Sequence, residues 1–160
     1  MTLREEIAPV VESLQRVLGD RLLALVLFGS RARGDAEASS DWDILLIAEG
    51  LPEKYLERHF FVKRALPGEW RGRVALLAKT REEFEGGFPS LYLDIGQDGV
   101  ILYDPEGYAT ERLTRIRELT NLAHLRREHR EWGWTWRWEK PPRGDWRIDW
   151  EGVSGIETGE

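Results

Sequence analysis

Residues 27–47 read LFGSRARGDAEASSDWDILLI, and the architecture of the chain turns on them. The stretch opens at the end of a predicted strand, Arg21–Phe28, whose uninterrupted apolar run suits burial on both faces. That run stops at Gly29-Ser30. Twelve small and polar residues, 29–40, then form a loop or a short helix entry. A second strand is predicted over Asp41–Ala48. Glycine at the strand end lets backbone approach a ligand closely, Ser30 offers a hydroxyl, and unpaired N–H groups at a following helix start suit phosphate. Asp41 and Asp43 stand two apart on a strand, so both carboxylates project from one face. Leu45 and Ile47 continue that face into the core, where charges need partners or a metal. Two carboxylates beside a phosphate-binding turn match the needs of Mg²⁺, which prefers oxygen ligands shared with substrate phosphates.

Outward from this stretch the chain alternates helix and strand. Thr2-Leu3-Arg4-Glu5 is a capping box, followed by apolar residues at helical spacing from Leu3 to Leu18 and a stop at Gly19. Pro9 inside this helix predicts a kink or a later start. Pro52–Leu66 reads as a helix, Arg73–Ala78 as a third strand, and Thr80-Arg81-Glu82-Glu83 as a second capping box whose helix ends at Gly86-Gly87. Pro89–Gly96 is a candidate helix and Val100–Tyr103 a short strand. Asp104-Pro105 predicts an N-cap with Pro in the first helical position. The helix that follows carries Leu113, Ile116, Leu119, Leu122 and Ala123, and His124 and His129 fall near its end.

This 21-residue stretch resembles the minimal nucleotidyltransferases of the DNA polymerase β superfamily. The Gly-Ser, the ten-residue gap and the Asp-x-Asp match their signature. The likeness is strong over residues 22–47 and extends across the helix and strand order from about residue 3 to residue 104. It implies an α/β (α+β) fold with a small mixed β-sheet and flanking helices. It also implies transfer of a nucleoside monophosphate, typically AMP from ATP, with release of pyrophosphate. On that template Gly29 and Ser30 hold the triphosphate, Arg31 and Arg33 neutralise phosphate charge, and Asp41 and Asp43 are the catalytic residues that bind Mg²⁺. Small members pair with a helical HEPN partner as antitoxin and toxin, so the likeness implies a protein acceptor. One feature departs from the family. A third carboxylate belongs on the next core strand, yet Arg73–Lys79 contains no Asp or Glu. The nearest acids are Glu69, Glu82 and Glu83, with Asp94 more distant. The alternative reading is therefore a degenerate member that holds nucleotide or a partner without chemistry.

Composition bounds these readings. The chain has 160 residues and no cysteine, which excludes disulfides, thiol nucleophiles and thiolate metal sites. No pair among His59, His124 and His129 has a metalloprotease-like spacing, so a zinc site is not expected. No apolar run approaches the ~20 residues of a membrane span, and the N-terminus lacks a signal-peptide pattern, so a cytoplasmic location is expected. The net charge of −6 opposes duplex nucleic acid, although residues 111–150 carry a net +3. One Asn, two Gln, one Met and many charges form a thermophile-like composition, although a GC-rich genome equally explains 19 Arg against four Lys.

The most unusual feature is six tryptophans between Trp132 and Trp150. Trp132, Trp134, Trp136 and Trp138 alternate at period two, which as a strand puts four indoles on one face. Pro141–Gly144 is a turn and Arg147–Trp150 a candidate returning strand. Three roles fit: packing onto the sheet or a second copy in a homo-oligomer, stacking on nucleobases with help from Arg126, Arg127, Arg130 and Arg137, or docking a partner protein. The expected organisation is a nucleotidyltransferase core over 1–104, followed over 105–160 by a C-terminal helix and a Trp-rich strand or hairpin appendage.

Overall fold

A computed structural model describes residues 1–155. A four-stranded mixed sheet lies at its centre, ordered β3-β2-β1-β4. These strands are β1 (Leu22–Phe28), β2 (Trp42–Ala48), β3 (Val74–Lys79) and β4 (Val100–Tyr103). β1 pairs antiparallel with β2 and β4, whereas β2 and β3 run parallel. The continuous apolar runs of β1 and β2 are explained by this order, since both are interior strands covered on both faces.

Leu25, Leu27, Ile44 and Leu46 face one layer, packed under α1 (Leu3–Leu18) and α3 (Tyr55–Arg64). Ala24, Val26, Leu45 and Ile47 face the other, under α4 (Arg81–Glu85), α5 (Leu91–Asp98) and α6 (Tyr108–Leu122). Both capping boxes form, at Thr2 with Glu5 and at Thr80 with Glu83. α5 and α6 touch through Gly96, where a Cβ would lie 2.4 Å from Ile116 Cγ2.

Several local expectations need correction. α1 begins at Leu3 and continues through Pro9, so Pro9 does not mark its start. α3 starts at Tyr55, three residues after Pro52. Asp104 does not precede α6 directly; the helix begins at Tyr108 after a turn. The Asp104 carboxylate nevertheless reaches forward to accept from the Ala109 and Thr110 N–H groups at 3.0 and 2.8 Å. It satisfies the same orphan donors from a greater distance.

The largest correction concerns the C-terminal stretch. Residues after His124 are not a helix end. Leu125–Arg130 is β5, hairpinned to β6 (Gly133–Trp138), so Arg127 stands opposite Trp136 and His129 opposite Trp134. His124 itself, at φ 56°, turns the chain from α6 into this hairpin. Trp132 lies in the turn rather than on the strand. β7 (Arg147–Asp149) does not return to β6; it pairs with β8 (Gly152–Ser154). Trp150 follows β7 and packs its indole against Phe84, Phe88 and Tyr92, donating to the Gly87 carbonyl at 2.9 Å. The final five residues of the 105–160 segment lie outside the described residues. No helix among those described is long and apolar enough to cross a membrane.

Candidate active site

Antiparallel pairing of β1 with β2 brings the end of one strand beside the start of the other, with Phe28 opposite Asp43. Gly29 follows in the left-handed region at φ +74°. A Cβ added there would lie 2.3 Å from Asp43 Oδ2, so only glycine fits. The turn continues into α2 (Gly29–Arg33), whose N-terminus receives no side-chain cap, and ends at the left-handed Gly34. Ser30 sits in the first turn of α2, half-buried.

Asp41 is exposed one residue before β2, and Asp43 is half-buried within it. Desolvation and the neighbouring Asp41 charge raise the Asp43 pKa, while Arg33 acts in the opposite direction. Two like charges held together at a sheet end favour a cation between them. The donor set suits Mg²⁺: two carboxylates leave the remaining ligand positions to water and phosphate oxygens. Among the described residues no cluster of three or more His, Cys, Asp or Glu could hold a metal without such sharing.

The arginines of the loop differ in engagement. Arg31 donates to the Ser40 carbonyl through Nε and Nη2 at 3.2 and 3.0 Å and to the Ala38 carbonyl at 3.1 Å, with its guanidinium 4.9 Å from the Trp42 ring centroid. It ties the far end of the loop back to α2. Arg33 donates Nε to Asp35 at 3.2 Å and holds Nη1 3.6 Å from Asp98.

β3 lies where the spacing places it, and its register sets Ala75 beside Asp43 and Leu77 beside Leu45. No acid occupies that strand. The other candidates are engaged elsewhere or apart. Glu83 accepts from the Thr80 N–H and pairs with Arg58, which holds its pKa at about 2. Asp94 accepts from the Trp136 indole at 3.1 Å. Glu69 lies in a 3₁₀ turn over Gly68–Trp70, and Glu82 is exposed on α4. The nearby acids that sequence reasoning missed are Asp35 and Asp98. Asp35 meets Arg33 locally, two residues on, whereas Asp98 meets it through tertiary packing of α2 against α5, which no local spacing signals.

A family model described as "Polymerase beta, Nucleotidyltransferase" matches residues 11–77, spanning α1 to β3 and containing the whole turn and carboxylate pair. The "Putative protein adenylyltransferase MJ1305" of Methanocaldococcus jannaschii is 43% identical over 114 residues, covering 68% of this chain and 77% of that protein. The chain belongs to the polymerase β nucleotidyltransferase family. Solved structures agree on the fold. A toxin–antitoxin crystallised with AMP-PNP superposes with a TM-score of 0.51 at 17% identity, covering 69% of this chain and 84% of its counterpart. A mutant of the toxin–antitoxin pair MntA-HpeT gives 0.51 at 15% identity, covering 76% and 88%. The mixed sheet and its flanking helices are thus those of a nucleotidyltransferase, as the 27–47 stretch implied.

Proposed function

We propose that this chain transfers a nucleoside monophosphate, AMP from ATP, to a protein acceptor. The observation that carries the reading is the close approach of Gly29 to the Asp43 carboxylate, with no room for a Cβ between them, which joins a candidate phosphate-binding turn to an acidic pair at one sheet end. The family membership and the name of the archaeal relative support nucleotidyl transfer to protein. The toxin–antitoxin neighbours agree in fold, and a helical HEPN partner is the acceptor consistent with them.

In this reading the Gly29–Ser30 turn receives the triphosphate, and Arg33 meets its negative charge. Arg31 serves the same site by fixing residues 38–40, and so the approach to Asp41. Asp41 and Asp43 would hold Mg²⁺, which when bound neutralises phosphate charge and steadies the pyrophosphate leaving group. The acceptor hydroxyl oxygen bonds to the α-phosphorus as the α–β bridging P–O bond breaks. Pyrophosphate leaves with the bond's electron pair. No β3 carboxylate faces the pair, so the hydroxyl proton passes to solvent or to the acceptor's own groups.

That missing acid favours a second reading, a member of the family that holds nucleotide without transfer. Incubation with Mg²⁺ and ATP labelled at the α- or the γ-phosphate, with proteins of the source organism, separates them. Transfer predicts α-label on protein, no γ-label, and stoichiometric pyrophosphate. Bound nucleotide with neither product is the outcome for the holding module.

A further inference from the structure

The C-terminal hairpin reaches the nucleotide site through a closed ring of five side chains. Trp134 Nε1 donates to Asp35 Oδ2 at 3.3 Å. The same Oδ2 accepts from Arg33 Nε at 3.2 Å. Arg33 Nη1 faces Asp98 Oδ2 at 3.6 Å, and Asp98 takes both ends of the Arg127 fork at 2.5 and 2.6 Å. The Arg127 guanidinium returns to the Trp134 ring, 4.6 Å from its centroid. Two members come from β5 and β6, two from α2 and the residues after it, and one from the end of α5.

We propose that Arg127 and Trp134 are positioning residues for Arg33, so that the tryptophan hairpin is a working wall of the nucleotide site; this rests on the nucleotidyltransferase reading. The physical reason lies in Asp98. Its side chain is only 8% exposed, and a buried carboxylate demands a cation. Arg127 satisfies it with a bidentate pair. Arg33 is thereby kept at 3.6 Å, outside hydrogen-bond distance, and makes no hydrogen bond through Nη1 or Nη2 to any described residue. Those donors stay available to an arriving anion, and the Arg33 charge is already felt at Asp43. Without Arg127, Asp98 would draw Arg33 from this 3.6 Å ion pair into a direct hydrogen bond and away from the phosphate. Trp134 fixes the other end. Its N–H holds Asp35, which in turn grips Arg33 Nε, and this indole hydrogen bond leads the causes that keep Asp35 below its ordinary pKa.

The geometry also argues against base stacking by this indole. Arg127 sits over the Trp134 ring, and His129 meets it edge-on at 4.7 Å between centroids.

The test compares wild type with Trp134→Phe, Arg127→Gln, Arg33→Ala and the double variant Trp134→Phe/Arg33→Ala. One readout is the NMR signal of the Arg33 Nε–H, which needs no nucleotide. The other is AMP-PNP affinity with Mg²⁺. Trp134→Phe keeps an aromatic ring beside Arg127 and removes the N–H with the pyrrole half of the indole, and a melting curve confirms its folding. Expected results are a solvent-averaged Arg33 signal in Trp134→Phe, a shifted but still protected one in Arg127→Gln, about fivefold to tenfold weaker binding in each, and no added loss from Trp134→Phe once Arg33 is gone. An unchanged Arg33 signal, or an equal loss in both backgrounds, overturns the proposal. A wild-type chain that binds no nucleotide overturns the nucleotidyltransferase reading instead, and the Arg33 signal alone then decides whether the hairpin positions that side chain.

Discussion

The strand-end site and the tryptophan hairpin are built on opposite principles. The site is local: Gly29 and Asp43 lie 14 residues apart and meet because two adjacent antiparallel strands bring them together. The hairpin is assembled at long range, with Trp134 bonded to Asp35 and Trp136 to Asp94 across the fold. The site keeps like charges close and a carboxylate short of solvent, an arrangement that favours a ligand over the empty fold. The hairpin places arginines on acids and indoles on hydrophobic neighbours, an arrangement that favours the fold itself. The candidate chemical groups thus lie in the first element, and the second holds them in place.

Substitutions can break or sharpen this contrast. The largest effect is expected on activity at the site. Asp43→Asn removes charge from the pair and lowers AMP transfer by about 10³-fold or more, measured as α-label on protein. In the hairpin, Trp136→Ala deletes a packed indole and its bond to Asp94. It costs about 3 kcal/mol of stability, read as a fall in melting temperature, with little change in transfer per folded molecule. Equal activity losses from these two variants would erase the contrast.

Smaller effects carry a sign. Burial and Asp41 raise the native pKa of Asp43 above its unfolded value, so ionisation as pH rises past about 4 destabilises the fold. Asp43→Asn is therefore expected to raise the melting temperature at pH 7, and the gain should vanish below about pH 4. Glu83 runs the other way. Its native pKa of about 2 lies below the ordinary 4.5, so its stabilisation is present above pH 4.5 and fades as pH falls toward 2. The group is exposed, so Glu83→Gln costs only ~0.5–1 kcal/mol, a difference that acid titration of the melting temperature should abolish.

The core of the fold was legible because its signals are local. Capping boxes at Thr2 and Thr80, apolar runs in β1 and β2, and Gly29 before a polar loop each act within a few residues. The absence of an acid on β3 was legible for the same reason, once Ala75 was known to stand beside Asp43. The hairpin was half legible. Period two announced β6, but Leu125–Arg130 carries four charged residues and a histidine out of six and only one apolar side chain, so it offers no strand pattern. It becomes a strand because β6 needs a partner and because Arg127 has Asp98 to meet. The start of α6 was misplaced because Asp104 caps across a turn rather than from the adjacent position.

The most direct test of the central claim is a crystal structure with AMP-PNP and Mn²⁺ in place of Mg²⁺, read by anomalous scattering. The triphosphate is expected against Gly29 and Ser30, with a manganese peak at Asp41 and Asp43. Nucleotide seated elsewhere would contradict it. One such place is the cavity of about 510 Å³ lined by Gln97, His124, Arg126, Trp134 and Trp136. A manganese peak away from both aspartates would contradict it equally.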